Sequence, residues 1–140
     1  MITHYRKIAV AIDFSDHSMK ALERAILVAK DNDASILLVN VIDTKSFGSV
    51  AAYDLKYADQ LKEESVTKMD GLKSQVVAAG VPVVEVLVVE GSPKEILTDL
   101  PGVDLIICGA TGVNKVEKMM IGSVAERIVR SAQCDVQLVR

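Results

Sequence analysis

No apolar run in this sequence approaches the ~20 residues that a membrane-spanning helix requires, and the short apolar stretch after Arg6-Lys7 is interrupted at Asp13. A soluble, cytoplasmic protein is therefore expected, with no membrane partner. Basic charge is also scarce: 16 Lys and Arg stand against 19 Asp and Glu, for a net charge of −3. That balance gives no broad electrostatic footprint for nucleic acid or acidic lipid. There are two cysteines, Cys108 and Cys134, and their spacing matches no zinc or dithiol motif, so both are expected to be reduced. Repeats, low-complexity tracts and domain linkers are absent. With 140 residues, half of them hydrophobic and a quarter charged, the chain forms one domain, burying about 70% of its unfolded surface.

What is present alternates between two periodicities. Lys7-Ile8-Ala9-Val10-Ala11-Ile12-Asp13 has the continuous apolar character of a strand buried on both faces and ends in a carboxylate. Ser15 is placed to cap a helix whose stripe is Ala21, Leu22, Ala25, Ile26 and Ala29, up to the turn Asp31-Asn32-Asp33. Ala34 to Val41 reads as a second strand. Ile42 to about Ala52 reads as a long loop, positioned to act as a lid, and a long amphipathic helix follows from about Tyr53 to Ala79, closed by Gly80 and Pro82. Val83 to Val89 is β-branched, and Glu85 marks it as an edge strand. Ser92-Pro93-Lys94-Glu95 opens a short helix reaching Leu100. Val103 to Cys108 forms a fourth strand. Ser123-Val124-Ala125-Glu126 has capping-box spacing for a last helix, and Val136 to Val139 is a closing strand.

Strands separated by helical segments imply parallel β-α-β units with helices on both faces of one sheet. Ligands of such sheets bind beyond the carboxyl ends of the strands, where the strand order reverses, which gathers Asp13, Val41 and Gly109 into one neighbourhood. There the chain reads GATGVNKVEKMMIGS, with glycine at 109, 112 and 122 and then Ser123. Glycine lets a ligand approach the backbone, and a helix N-terminus with free N–H groups suits phosphate. The same glycines also serve ordinary turns. Their place between a strand and a helix start favours a phosphorylated ligand lying across the sheet edge. Neither the Walker A spacing nor G-x-G-x-x-G is present, which disfavours a P-loop NTPase or an ordinary dinucleotide enzyme.

The pattern Gly109-x2-Gly112-x9-Gly122-Ser123 resembles the nucleotide-binding motif of the universal stress protein family, in its ATP-binding branch, and the resemblance runs from Lys7 to the closing strand. It implies a Rossmann-like three-layer α/β sandwich: a five-stranded parallel sheet of order 3-2-1-4-5 with about four helices. The ligand it implies is ATP or another adenine nucleotide, with Mg2+ or Mn2+. Asp13 would meet the ribose or the metal, and the backbone around Val41 the adenine. Gly109, Gly112, Gly122, Ser123 and Val124 would surround ribose and phosphates. The resemblance also implies a homodimer through residues 136–139. Cys134-Asp135 departs from the family pattern, where proline is usual, and Gln137 breaks an otherwise apolar edge.

Other candidates are weaker. His17, near Asp13, Ser15 and Asp16, lacks the partners of a catalytic histidine; Ser15 as cap and Asp16 at the helix's positive end account for the cluster. Lys115 and Lys118 are cations within reach of a phosphate, though lysines in charged loops are usually solvated, and Tyr53 and Tyr57 fit a helix face better than a base stack. Three functions remain: a nucleotide-binding regulatory module of the stress response, a slow ATP-hydrolysing or nucleotide-transforming enzyme on the same fold, and an interaction protein without nucleotide. With no nucleophile–base pair near the glycines and no Walker lysine, binding is favoured.

Overall fold

The computed structural model describes residues 4–43, 55–111 and 121–140, excepting the side chains of 55–58. The described strands are β1 (Lys7–Ala11), β2 (Ser35–Asp43), β3 (Val84–Gly91), β4 (Leu105–Gly109) and β5 (Asp135–Val139). The described helices are α1 (Asp16–Asn32), α2 (Leu55–Ala78), α3 (Pro93–Ile96) and α4 (Ser123–Ser131). All strand pairs are parallel, in the order β3-β2-β1-β4-β5, as the family resemblance implies.

Side-chain alternation divides the core in two. Ile8, Val10, Ile36, Leu38, Leu105 and Ile107 face α1 and α2, where Ala21, Leu22, Ala25, Ala29, Met69 and Val76 are buried. Ala9, Leu37, Val39, Ile106 and Cys108 face Leu97, Ala125 and Ile128 on the α3 and α4 side. The central strands are buried on both faces, so their sequences are apolar without alternation. At the opposite end of the sheet from the glycine-rich stretch, Asp104 Oδ2 accepts from the N–H groups of Arg6 (2.9 Å) and Lys7 (3.0 Å), fixing the start of β1 beside β4.

Several boundaries differ from those read in the sequence. β1 stops at Ala11, leaving Asp13 beyond the strand, and β2 runs on through Ile42 and Asp43, the first residues of the expected loop. The rest of that loop, 44–54, and with it the lid expectation and Tyr53, lies outside the described residues, as does the Tyr57 side chain. β3 is an edge strand, and Glu85 pairs there with Lys7 at 3.8 Å. α3 is a single turn ending at Ile96, and Ser92 is its N-cap by position but makes no side-chain cap bond. β4 includes Gly109, which is the strand's last residue and not the first beyond it. α4 is capped by Gly122, not by Ser123, which occupies the first helical position.

Candidate functional site

A cavity of about 600 Å3 lies at the carboxyl ends of the strands, within the range of small-ligand sites. Asp13, Val41, Gly109, Gly122, Ser123 and Val124 all line it. Gly112, Lys115 and Lys118 lie outside the described residues. The cavity forms because β1 ends early while β2 continues, so the sheet is notched between them. Apolar walls come from Val39, Leu97 and Ile128 on one face and Leu61 on the other.

At the β1 end, Ser15 caps α1 by accepting from the Ser18 N–H at 3.2 Å, while its N–H (3.0 Å) and hydroxyl (2.5 Å) donate to Asp13 Oδ1. Phe14 bridges them with φ of 65°, a conformation rare for a bulky side chain, and Lys68 Nζ stands 4.9 Å from its ring centre. The positive end of α1 is thus already served by a hydroxyl, with the carboxylate of Asp16 in its first turn. α4 differs. Its N-cap Gly122 has no side chain, and the Gly122 N–H is spent on the Ala110 carbonyl at 2.7 Å. The first intrahelical bond is Glu126 N–H to the Gly122 carbonyl at 2.9 Å. The amides of Ser123, Val124 and Ala125 therefore have no carbonyl within their own helix, and these residues line the cavity. Glu126, in the first turn, is paired with Arg130. A third helix N-terminus reaches the cavity at Pro93, but α3 is a single turn whose first residue has no N–H. Among these helix starts α4 is the one prepared for an anion.

Gly109 has a different reason for its missing side chain. A Cβ there would lie 2.7 Å from His17 Cβ and 2.8 Å from the His17 carbonyl carbon, so the glycine lets α1 pack onto β4. His17 in turn holds the segment after β4: its Nδ1 accepts from the Thr111 N–H at 3.2 Å and lies 2.6 Å from the Thr111 hydroxyl. Accepting the amide hydrogen assigns the imidazole its proton on Nε2.

Two residues absent from the sequence-based set belong here. Asn40 is the polar interruption of the apolar run in β2; it is buried, lines the cavity, and donates from Nδ2 to the Ile12 carbonyl at 2.8 Å. Thr111, also buried, lines the cavity and anchors to His17. An asparagine inside an apolar strand was the available signal for the first; Thr111 carried none.

Cys108 also lines the cavity, and burial pushes its thiol up to about 11, which keeps it protonated and unreactive near neutrality. Burial, followed by the nearby carboxylates of Asp135 and Asp104, raises Cys134 as well. No cluster of three or more His, Cys, Asp or Glu suited to a metal occurs among the described residues. None of the described helices is long and apolar enough to cross a membrane.

A model of the universal stress protein family matches residues 4–140. A Staphylococcus haemolyticus protein assigned provisionally to the universal stress proteins is 41% identical over 97% of this chain and 85% of its own length. Among solved structures, universal stress protein UspA from Lactobacillus plantarum has the same fold at a TM-score of 0.85 and 27% identity, covering 99% of this chain and 100% of that one. A universal stress protein in complex with cAMP shares the fold at a TM-score of 0.70 and 23% identity, over 99% of this chain and 98% of its own. The chain belongs to the universal stress protein family.

Proposed function

We propose that this protein is an adenine-nucleotide-binding regulatory module of the stress response, with ATP as its ligand. The observation that carries this reading is the contrast between the N-termini of α1 and α4 at one cavity: α1 is capped internally, whereas α4 offers uncapped amides beside a side-chain-free Gly122. Phosphates of the nucleotide bind those amides together with the Ser123 hydroxyl and the Gly112 backbone. The base lies toward Val41 between apolar walls, and Asp13 meets the ribose. The family member crystallised with cAMP, an adenine nucleotide, agrees with that class of ligand.

A divalent ion fits this arrangement only alongside the phosphates. Mg2+ is commonly held by one or two carboxylates plus phosphate oxygens, and Asp13 would contribute its carboxylate as the alternative to its ribose contact, offsetting phosphate charge. Binding is favoured over turnover by the groups at the rim: the Cys108 thiol stays protonated, and the His17 ring nitrogen is committed to Thr111. The edge strand β5 supports a further part of the reading, a homodimer through residues 136–139. Val136, Gln137 and Leu138 are half-buried, and an edge left bare invites pairing.

Calorimetry with ATP and Mg2+, set beside adenosine, tests the nucleotide site: ATP binds tighter because only it reaches α4. Equal binding of the two removes the phosphate site, and absence of binding to either removes the function. Sedimentation at micromolar concentration tests the dimer, and a monomer mass refutes it.

A further inference from the structure

The ladder between β1 and β2 ends in an unusual way. On β2 the odd-numbered residues turn their backbone groups toward β1: the Ser35 N–H donates to the Arg6 carbonyl at 2.9 Å, and the Val39 carbonyl accepts from the Ile12 N–H at 2.8 Å. The same alternation turns the N–H and C=O of Val41 to that side. In a parallel ladder the next bond is from the Val41 N–H to the Ile12 carbonyl. That carbonyl accepts instead from Asn40 Nδ2 at 2.8 Å, and among the described residues no backbone bond joins Val41 to Ile12. The strand register stops one rung earlier, at Ala11 opposite Val39. Both Val41 and Asn40 line the cavity.

This arrangement costs free energy, because Asn40 Oδ1 is buried with no hydrogen-bond partner among the described residues. A valine there would suit the strand and leave no orphaned acceptor, and the freed Ile12 carbonyl would take the Val41 N–H. What the carboxamide provides, and an apolar side chain does not, is a substitute donor that keeps the last rung open.

We infer that Asn40 is a positioning residue for the nucleobase: by occupying the Ile12 carbonyl with its side-chain amide, it holds the Val41 N–H and C=O open to a base edge carrying an acceptor beside a donor. Adenine presents that pattern in N1 and its 6-amino group. The inference deepens the nucleotide reading and rests on it for the identity of the ligand, while the open rung is a property of the protein alone.

The test has two arms. Without ligand, amide hydrogen exchange resolved by NMR compares Val41 with Val39. The wild-type Val41 amide exchanges at least ~100-fold faster than that of Val39, and in Asn40→Val the difference shrinks to within ~10-fold as the rung closes. The wild-type comparison needs no variant to fold. Equal protection of the two amides in the wild type, or an unchanged Val41 in a folded Asn40→Val protein, overturns the positioning role. With ligand, calorimetry compares ATP with N6,N6-dimethyl-ATP, which lacks the donor. Wild type prefers ATP by at least ~10-fold, and Asn40→Val binds the two within ~2-fold of each other. Wild type that binds both equally overturns reading of the base edge. Wild type that binds neither, with Val41 still open, overturns the nucleotide function and leaves the strand device standing.

Discussion

Gly109 lies directly against the backbone of His17, so close that a Cβ on the glycine would sit 2.8 Å from the histidine's carbonyl carbon. Gly109 has no left-handed φ, so the demand is for space and not for a special backbone conformation. The first glycine of the motif is therefore a packing residue that brings the start of α1 onto the end of β4. Gly109→Ala forces α1 to shift and costs about 2–3 kcal/mol, an overpacking penalty. The melting temperature falls by roughly 6–12 °C, measured by circular dichroism without nucleotide. An unchanged melt would mean that α1 does not press on β4 in this way.

Gly122 behaves in the opposite sense. Its φ of −62° and ψ of 154° suit the common N-cap residues, so Gly122→Asp supplies α4 with a cap and a negative charge at its positive end. The variant gains roughly 0.5–1 kcal/mol of stability. The new carboxylate takes the amides proposed for phosphate, and ATP affinity drops by at least ~10-fold, or ~1.4 kcal/mol. A higher melting temperature together with weaker calorimetric binding is expected; a variant that is stabilised and still binds ATP normally would move the phosphates elsewhere.

His17 holds Thr111 through Nδ1. Long-range nitrogen-15 spectra of the neutral imidazole are expected to place its proton on Nε2, and a proton on Nδ1 contradicts the bond from the Thr111 N–H. Replacing the ring by His17→Ala strands two donors of a buried residue and costs ~1–3 kcal/mol, read by denaturant unfolding.

Cys108 supplies a dependence on alkaline pH. Burial raises its thiol from 9.0 to about 11, so between those values the unfolded chain binds fewer protons than the folded one. The contribution is whole below pH 9 and is lost as pH climbs toward 11, by at most ~2–3 kcal/mol for a shift of this size. Chemical denaturation across that range compares wild type with Cys108→Ala. The variant loses stability less steeply; parallel curves would mean that the thiol is not desolvated.

The order of elements was legible because buried parallel strands and amphipathic helices leave opposite periodicities, and each of the nine described elements lies within a few residues of its reading. Boundaries at the site were less legible. Whether Ser123 or Gly122 caps α4 depends on which residue turns extended; the Ser-x-x-Glu spacing points to Ser123, whereas the cap is Gly122 and Glu126 falls one position beyond the capping-box place. Whether β2 stops at Val41 or Asp43 depends on its partner β3, whose pairing extends to Asp43 opposite Gly91.

The sequence by itself determined an α/β sheet, its apolar strands and a glycine just before the last helix, because these follow from local periodicity and from which residues tolerate crowded backbone. The family resemblance added the strand order. Tertiary structure alone decided what individual residues at the rim do. Gly109 makes room for a helix ninety-odd positions earlier in the chain, and Asn40 occupies a carbonyl on the neighbouring strand. Those roles arise between segments far apart in sequence, where spacing carries no information about contact.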